Sequence, residues 1–209
     1  EYTINQQPSY ILHEIYRKHP DVIAFSCYIW NRSLIAGIIS DLHKIMPDTD
    51  LWAGGPEVSY DAADVIKEWK LRGVMSGCGE GSFYHLVSAY VNGTSVNLPA
   101  VLDGNCTHCF YLDDIPFWYQ NIDDFEHRII YYESSRGCPF SCSYCLSSID
   151  KTMDFRSLER VYSDLDFFLQ HNVVQVKFVD RTFNCKKEHA LPILQYIAEH
   201  DNGITNFHF

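Results

Sequence analysis

Three things are scarce in this sequence, and each scarcity removes a class of function. Positive charge is the first: 16 Lys and Arg stand against 27 Asp and Glu, a formal net charge of −11. Nucleic-acid binders carry a basic stripe or face, and no basic run here is longer than a pair such as Lys186-Lys187, so no nucleic-acid partner is expected. Long apolar runs are the second. None approaches the roughly 20 consecutive apolar residues of a bilayer-spanning helix, so no membrane partner is expected. The chain opens without a secretory signal and with Glu in place of Met, and the natural start is expected to lie upstream. The third scarcity is disulfide character. Eight cysteines are present, but the chain is too large and too regularly patterned for a small disulfide-stapled domain, which points to reduced thiols in a cytoplasm, some of them metal ligands.

What is present is an ordinary globular composition, 46% hydrophobic and 21% charged, arranged as alternating short apolar runs and amphipathic ones. Glu1–Gln7 reads as the end of a strand. Residues 8–19 form a helical pattern that stops before Pro20, and 21–26 (DVIAFS) is a continuous apolar run of the buried parallel-strand kind. Leu34, Ile35, Ile38, Ile39, Leu42, Ile45 and Met46 recur at helical spacing until Pro47. The cycle repeats: strand at 51–53 entering Gly54-Gly55-Pro56, helix at 61–71, strand at 73–76, helix at 82–91 closed by Asn92-Gly93. Such alternation indicates βαβ units and a parallel sheet, whose ligand-binding loops lie at one edge. From about 98 to 126 the rhythm breaks, and the stretch reads as a linker with at most one hairpin. Alternation resumes with a strand at 128–133, a cysteine-rich loop, a helix at 157–171, a strand at 175–179, a helix at 188–200 and a further strand from Ile204 to Phe209. A complete β/α barrel takes roughly 30 residues per unit. The region from Arg128 therefore holds two units and the start of a third, and the chain is expected to be a fragment that turns over nothing by itself.

The loop at 134–145 reads SSRGCPFSCSYC, placing Cys138, Cys142 and Cys145 in the order C-x3-C-x2-C. A closed structural zinc site takes four ligands, and a simple iron–sulfur carrier takes four thiolates per cluster. Three thiolates leave one iron of a [4Fe–4S] cube open to an exogenous chelating ligand. Gly137 gives the loop conformational freedom and Pro139 stiffens it. Because the loop follows a strand, its thiols would lie at the C-terminal mouth of a barrel, where barrel chemistry occurs.

This stretch resembles the cluster loop of the radical S-adenosylmethionine (SAM) enzymes, whose signature is C-x3-C-x2-C with an aromatic, here Tyr144, before the last cysteine. The longer string ESSRGCPFSCSYCLSS looks like the subgroup carrying a cobalamin-binding domain ahead of the barrel. The resemblance leans toward proteins named after the anaerobic magnesium-protoporphyrin monomethyl ester oxidative cyclase. It implies a [4Fe–4S] cluster whose fourth iron binds SAM and cleaves it reductively to a 5′-deoxyadenosyl radical, driving methyl transfer or ring formation on a small-molecule substrate. It implies Tyr144 near the adenine and an electron donor such as a reduced flavodoxin or ferredoxin. Where many members carry a Gly-Gly-Glu run, this sequence has VDRTFN, and Asp180 is the substitute acceptor for the SAM amino group, or else a helix cap or loop carboxylate. Arg136 either screens the cluster or pairs with an acid.

In the first half, Ser26, the pair Gly54-Gly55 and Gly79 resemble the loops of the cobalamin-binding domain, with glycines admitting close backbone approach. Many such domains ligate cobalt through a histidine in an Asp-x-His-x-x-Gly motif, which is absent here, while His13, His19 and His43 read as solvated. Some members bind the corrin without a protein histidine, so cobalamin remains a possible cofactor. The expected fold is α/β: an incomplete cobalamin-type Rossmann-like domain over 1–95, a linker over 96–127 and a partial radical-SAM β/α barrel over 128–209. Cys106 and Cys109 read as a thiol pair or half of a zinc clip, Cys27, Cys78 and Cys185 as small buried residues, and Trp30, Trp52, Trp69 and Trp118 as packing residues. The alternative to an enzyme is a fully ligated metal-binding or electron-transfer module closed by a fourth ligand such as Cys185 or Cys109. A third reading is corrin binding alone.

Overall fold

The computed structural model describes residues 5–104, 111–126, 128–146 and 152–209. The beginning of the segment Glu1–Gln7 and the Cys106/Cys109 pair therefore lie outside the described residues. The chain forms two compact units, Glu1–Cys109 and Phe110–Phe209.

The first unit is a parallel sheet built from strand–helix repeats. Helix α1 (Pro8–Lys18) starts with Pro near N1, where no N–H is needed, and ends at His19 in the left-handed region before Pro20. Strand β1 (Val22–Ser26) leads to α2 (Arg32–Ile45), which buries Ile35, Ile38, Ile39 and Leu42 at the i, i+3, i+4, i+7 spacing of one helix face. Strand β2 (Asp50–Gly54) is central and nearly fully buried, and is followed by the short α3 (Pro56–Ser59) and by α4 (Ala62–Trp69). Strand β3 (Gly73–Ser76) and α5 (Gly79–Val91) complete the repeats. Below the sheet edge, Tyr90 donates a 2.5 Å hydrogen bond to Asp50 and accepts one from the indole of buried Trp52. Burial, aided by Asp50, pushes the Tyr90 hydroxyl up to about 12.

A fourth strand was hidden in the stretch read as linker. β4 (Val101–Asp103) pairs in parallel with β3, matching Val74 to Val101 and Ser76 to Asp103, so the sheet order is β1-β2-β3-β4. Three residues are too few to show a period, and the preceding Pro99 reads as a turn. The first sheet thus continues past residue 95.

In the second unit, β5 (Ile130–Tyr132) is followed by two very short strands, β6 (Ser135–Arg136) and β7 (Asp154–Phe155), paired antiparallel. Helix α6 (Leu158–Gln170) then crosses to β8 (Gln175–Phe178), and α7 (Lys187–Glu199) to β9 (Asn206–His208). The sheet is parallel with order β5-β8-β9. Sequential, adjacent, parallel strands joined by helices are the repeating β/α unit from which such barrels are built. Ser157 caps α6, accepting from the Arg160 N–H. Ile130, Val161, Leu165, Phe168, Val176 and Ile193 are almost fully buried in the core beneath the helices. The irregular segment before β5 belongs to this unit: Phe117 packs edge-on against Phe167 with ring centres 5.1 Å apart. Among the described residues no helix is long and apolar enough to cross a membrane.

Candidate functional site

In the second unit the cysteine loop is an excursion between β6 and β7, and its base is clamped. Arg136 pairs with Asp154 across the two strands, and the Arg156 N–H donates to the Ser134 carbonyl. The Arg156 side chain, 9% exposed, donates from Nε to the Glu133 carbonyl and from Nη1 to that of Leu112. Gly137 is the hinge into the loop. Its φ is +99°, and a Cβ there would stand 1.9 Å from the Thr152 carbonyl oxygen, so no other residue fits without moving backbone. Arg136 makes a two-point ion pair with Glu133, Nε to Oε1 at 3.0 Å and Nη2 to Oε2 at 2.7 Å, which is the acid-pairing role of its two alternatives.

Within the loop, Cys142 is exposed while Cys138 and Cys145 are half-buried. The Cys145 N–H donates to the Cys142 carbonyl, turning the chain between the last two thiols. Tyr144 is 91% exposed. The donor set fits a cluster with an open iron: three thiols in one short loop beyond a strand, the last two on a single turn. Among the described residues no three His, Cys, Asp or Glu side chains converge on a single ion. Cys185 lies near enough to Cys138 for that group to help raise its pKa, after burial as the larger cause.

Asp180, just past β8, is tied to the loop base. Its Oδ1 accepts from the Ser134 hydroxyl at 2.8 Å and the Ser135 hydroxyl at 2.5 Å, and its Oδ2 from the Ser134 N–H at 3.2 Å. Both serines are buried. Next to them His189, 4% exposed, reaches Ser134 Oγ at 3.4 Å. Burial lowers the His189 pKa against the opposing pull of Asp180 and Ser134, with Lys186 adding to the lowering. A histidine held neutral in the fold but protonated at about pH 6.5 when unfolded makes stability fall as pH drops below that value, levelling once the native histidine also protonates. Urea unfolding at pH 7.5 and 5.5 should therefore show a loss at the lower pH that His189→Gln reduces. An equal loss in the variant would remove His189 as its source.

Sequence reasoning named Asp180 but missed Arg156, His189 and the serine pair. The available signal was the run Ser134-Ser135-Arg136-Gly137, since small hydroxyl residues ahead of a glycine often serve local hydrogen bonding.

In the first unit, Ser26 is the last residue of β1 and is matched in register to Gly54, the last of β2. Gly55 follows with φ +101°, where a Cβ would stand 2.5 Å from the Cys27 carbonyl oxygen. Gly79 begins α5 just beyond β3, and a Cβ there would meet nothing within 4 Å, so its backbone is open to approach. The four residues thus share the C-terminal edge of one parallel sheet. Asn31 braces this edge, accepting from the Tyr28 N–H at 2.7 Å and donating to the Ser26 carbonyl at 2.9 Å.

The tryptophans divide. Trp52 and Trp69 are buried as expected, whereas Trp30 and Trp118 are exposed, a correction to their reading as packing residues. Trp30 stacks on Tyr28 at 4.7 Å and 6°, making an aromatic shelf beside Ser26. It sits in a connecting loop, where aromatic residues need not face a core. Cys27 is fully buried and Cys78 and Cys185 half-buried. His43 is bonded through Nε2 to the Trp69 carbonyl at 2.9 Å, so it is a structural contact more than a solvated residue.

Fold and site together define an α/β protein with a Rossmann-like parallel-sheet domain and β/α units bearing a three-cysteine loop. Residues 2–87 match the B12 binding domain family. The chain is 27% identical over 192 residues to the cobalamin-dependent radical SAM methyltransferase TokK of Streptomyces tokunonensis, covering 78% of this chain and 28% of that protein. Hopanoid C-3 methylase of Methylococcus capsulatus is 25% identical over 205 residues, covering 90% and 39% respectively. Among solved structures, the cobalamin-dependent S-adenosylmethionine radical enzyme OxsB superposes with a TM-score of 0.70 at 15% identity, over 98% of this chain and 32% of that one. Residues 2–87 are thus similar to a B12 binding domain, and the chain is similar to a cobalamin-dependent radical SAM methyltransferase. It spans between 28% and 39% of the length of these two curated relatives.

Proposed function

We propose that this chain is part of a cobalamin-binding radical SAM methyltransferase acting on a small molecule. The observation that carries the reading is the loop clamped between β6 and β7 that bears Cys138, Cys142 and Cys145, with Cys142 exposed. Cys138, Cys142 and Cys145 would hold a [4Fe–4S] cluster, which supplies one low-potential electron to the sulfonium of SAM. Tyr144, standing free of the core, is the contact for the adenine, and Asp180 for the amino group. Ser26, Gly54, Gly55 and Gly79 would receive the cobalamin, with the Tyr28–Trp30 shelf as a further apolar surface. The metal-binding loop requires a one-electron donor such as a reduced flavodoxin or ferredoxin, in a reducing cytoplasm. The names of the curated relatives favour methyl transfer; ring formation of the oxidative-cyclase type is the other outcome of the same radical chemistry, told apart by whether the product gains a methyl group.

A second reading is favoured by one observation: Thr182, whose carbonyl accepts from the Cys185 N–H, also lies 3.2 Å through Oγ1 from Cys138 Sγ, which brings the Cys185 turn beside the first cysteine. A fourth thiolate there would close the site and leave an electron-transfer module. The full-length protein, reconstituted anaerobically with iron and sulfide and reduced, separates the two. Its electron paramagnetic resonance signal is expected to change on addition of SAM, because one iron is open. A cluster whose signal is indifferent to SAM would sink the enzyme reading and leave the closed module.

A further inference from the structure

The loop after β8 reaches back to the first cysteine of the cluster loop. Thr182 Oγ1 lies 3.2 Å from Cys138 Sγ, a contact between residues 44 apart in sequence. Strand pairing places it: Tyr132 is matched to Phe178 at the ends of β5 and β8, so the segments leaving those strands run out side by side. The Thr182 backbone is fixed as well, its carbonyl accepting from the Cys185 N–H at 3.1 Å in a 3₁₀ turn. On the other side, Asp180 holds Ser134 and Ser135, four and three residues ahead of Cys138. Thr182 therefore meets the cysteine from a braced position.

The direction of this hydrogen bond depends on what Cys138 carries. Between a free thiol and a hydroxyl, either atom can donate. A thiolate bound to iron has no proton, so the hydroxyl must be the donor. We propose that Thr182 is a positioning residue that raises the reduction potential of the cluster by donating a hydrogen bond to Cys138 Sγ; this rests on the cluster reading given above. Hydrogen bonds to the sulfurs are among the determinants of iron–sulfur potentials. One-electron reduction adds one negative charge to the cluster and its thiolates. A donor aimed at a ligand sulfur stabilises that added charge, so it favours the reduced form. The electron comes from a low-potential donor, dithionite in the test.

The test is a redox titration of the full-length protein, reconstituted with iron and sulfide, with the reduced cluster read by electron paramagnetic resonance. In Thr182→Val, which keeps shape and removes the donor, the reduced-to-oxidised ratio at a fixed potential should fall about tenfold, a shift of about 59 mV for one electron. Thr182→Ser keeps the hydroxyl and should titrate with the wild type. A valine protein at the wild-type potential overturns the proposal, as does a serine protein shifted as far as the valine one. If valine and alanine variants both take up no iron while the serine variant holds a cluster at the wild-type potential, the hydroxyl secures the cluster and does not tune it, and the proposal is overturned. Loss of iron from all three variants overturns it, because shape and not the donor would then matter. Iron content of the wild type reports separately on the cluster reading: wild-type protein without iron sinks both.

Discussion

Cys142→Ala in the reconstituted full-length protein should abolish the [4Fe–4S] cluster, measured as iron and acid-labile sulfide per chain, while leaving the unfolding midpoint of the metal-free protein almost unchanged. The contrast is what gives the experiment its force. Cys142 is the exposed member of the three, and surface substitutions away from caps, cores and networks usually change stability by about 0.5 kcal/mol or less. Its thiol therefore has little to do in the metal-free fold. As a ligand it is one of three corners holding the cube, and its loss leaves a second iron without protein support. Cys185→Ala is the companion variant. With an open iron it should keep the cluster and its response to SAM, since Cys185 is then only a half-buried thiol beside Cys138. Loss of iron in Cys185→Ala alongside Cys142→Ala would identify a fourth ligand and favour the closed module. A cluster of normal content in Cys142→Ala would remove the loop from the metal site altogether.

The elements legible in the sequence were those long enough to show a period. Helix α2 could be read from Ile35, Ile38, Ile39 and Leu42, and the structure buries those residues together. Helices α6 and α7 and strands β1, β3 and β8 likewise fall within a few residues of their expected places. What could not be read were pieces of two or three residues whose existence is decided by a distant partner. β4 exists because β3 offers an unpaired edge. β6 and β7 are two residues each, and they pair across the cysteine loop only because Gly137 turns the chain at φ +99°. For the same reason the candidate site was half legible. The three cysteines announce themselves by spacing, and Ser26, Gly54, Gly55 and Gly79 by their places after strands. The residues that hold the loop in position come from the far side of the loop or from the next β/α unit: Asp180 was named for the cofactor and not as a brace, and nothing local in the sequence ties it, Arg156 or His189 to the loop.

Asp180→Ala should be the most damaging single change outside the core of the second unit. Three hydrogen bonds end on its carboxylate, two from serine hydroxyls and one from a backbone N–H, and both serines are 2% exposed or less. Each buried polar group left without a partner costs on the order of 1–3 kcal/mol, so the total is several kcal/mol even if one hydroxyl turns to another acceptor. For a unit of this size, 1 kcal/mol is worth roughly 4–8 °C in the unfolding midpoint, and a drop of more than about 10 °C is expected. Iron uptake should fall with it, because the serines lead directly into Cys138. Asp180→Asn divides this supporting role from a role at the cofactor. The amide oxygen still accepts, and the serine hydroxyls can rotate to meet the amide N–H₂, so most of the stability and iron content should survive. What the amide cannot supply is a negative charge for the ammonium group of SAM. A stable, iron-loaded Asp180→Asn protein with weakened SAM binding, read as a higher SAM concentration needed to change the cluster signal, would give Asp180 both roles. Unchanged SAM dependence in the same protein would make it a brace for the cysteine loop alone, and some other acceptor near the end of β8 would have to meet the amino group.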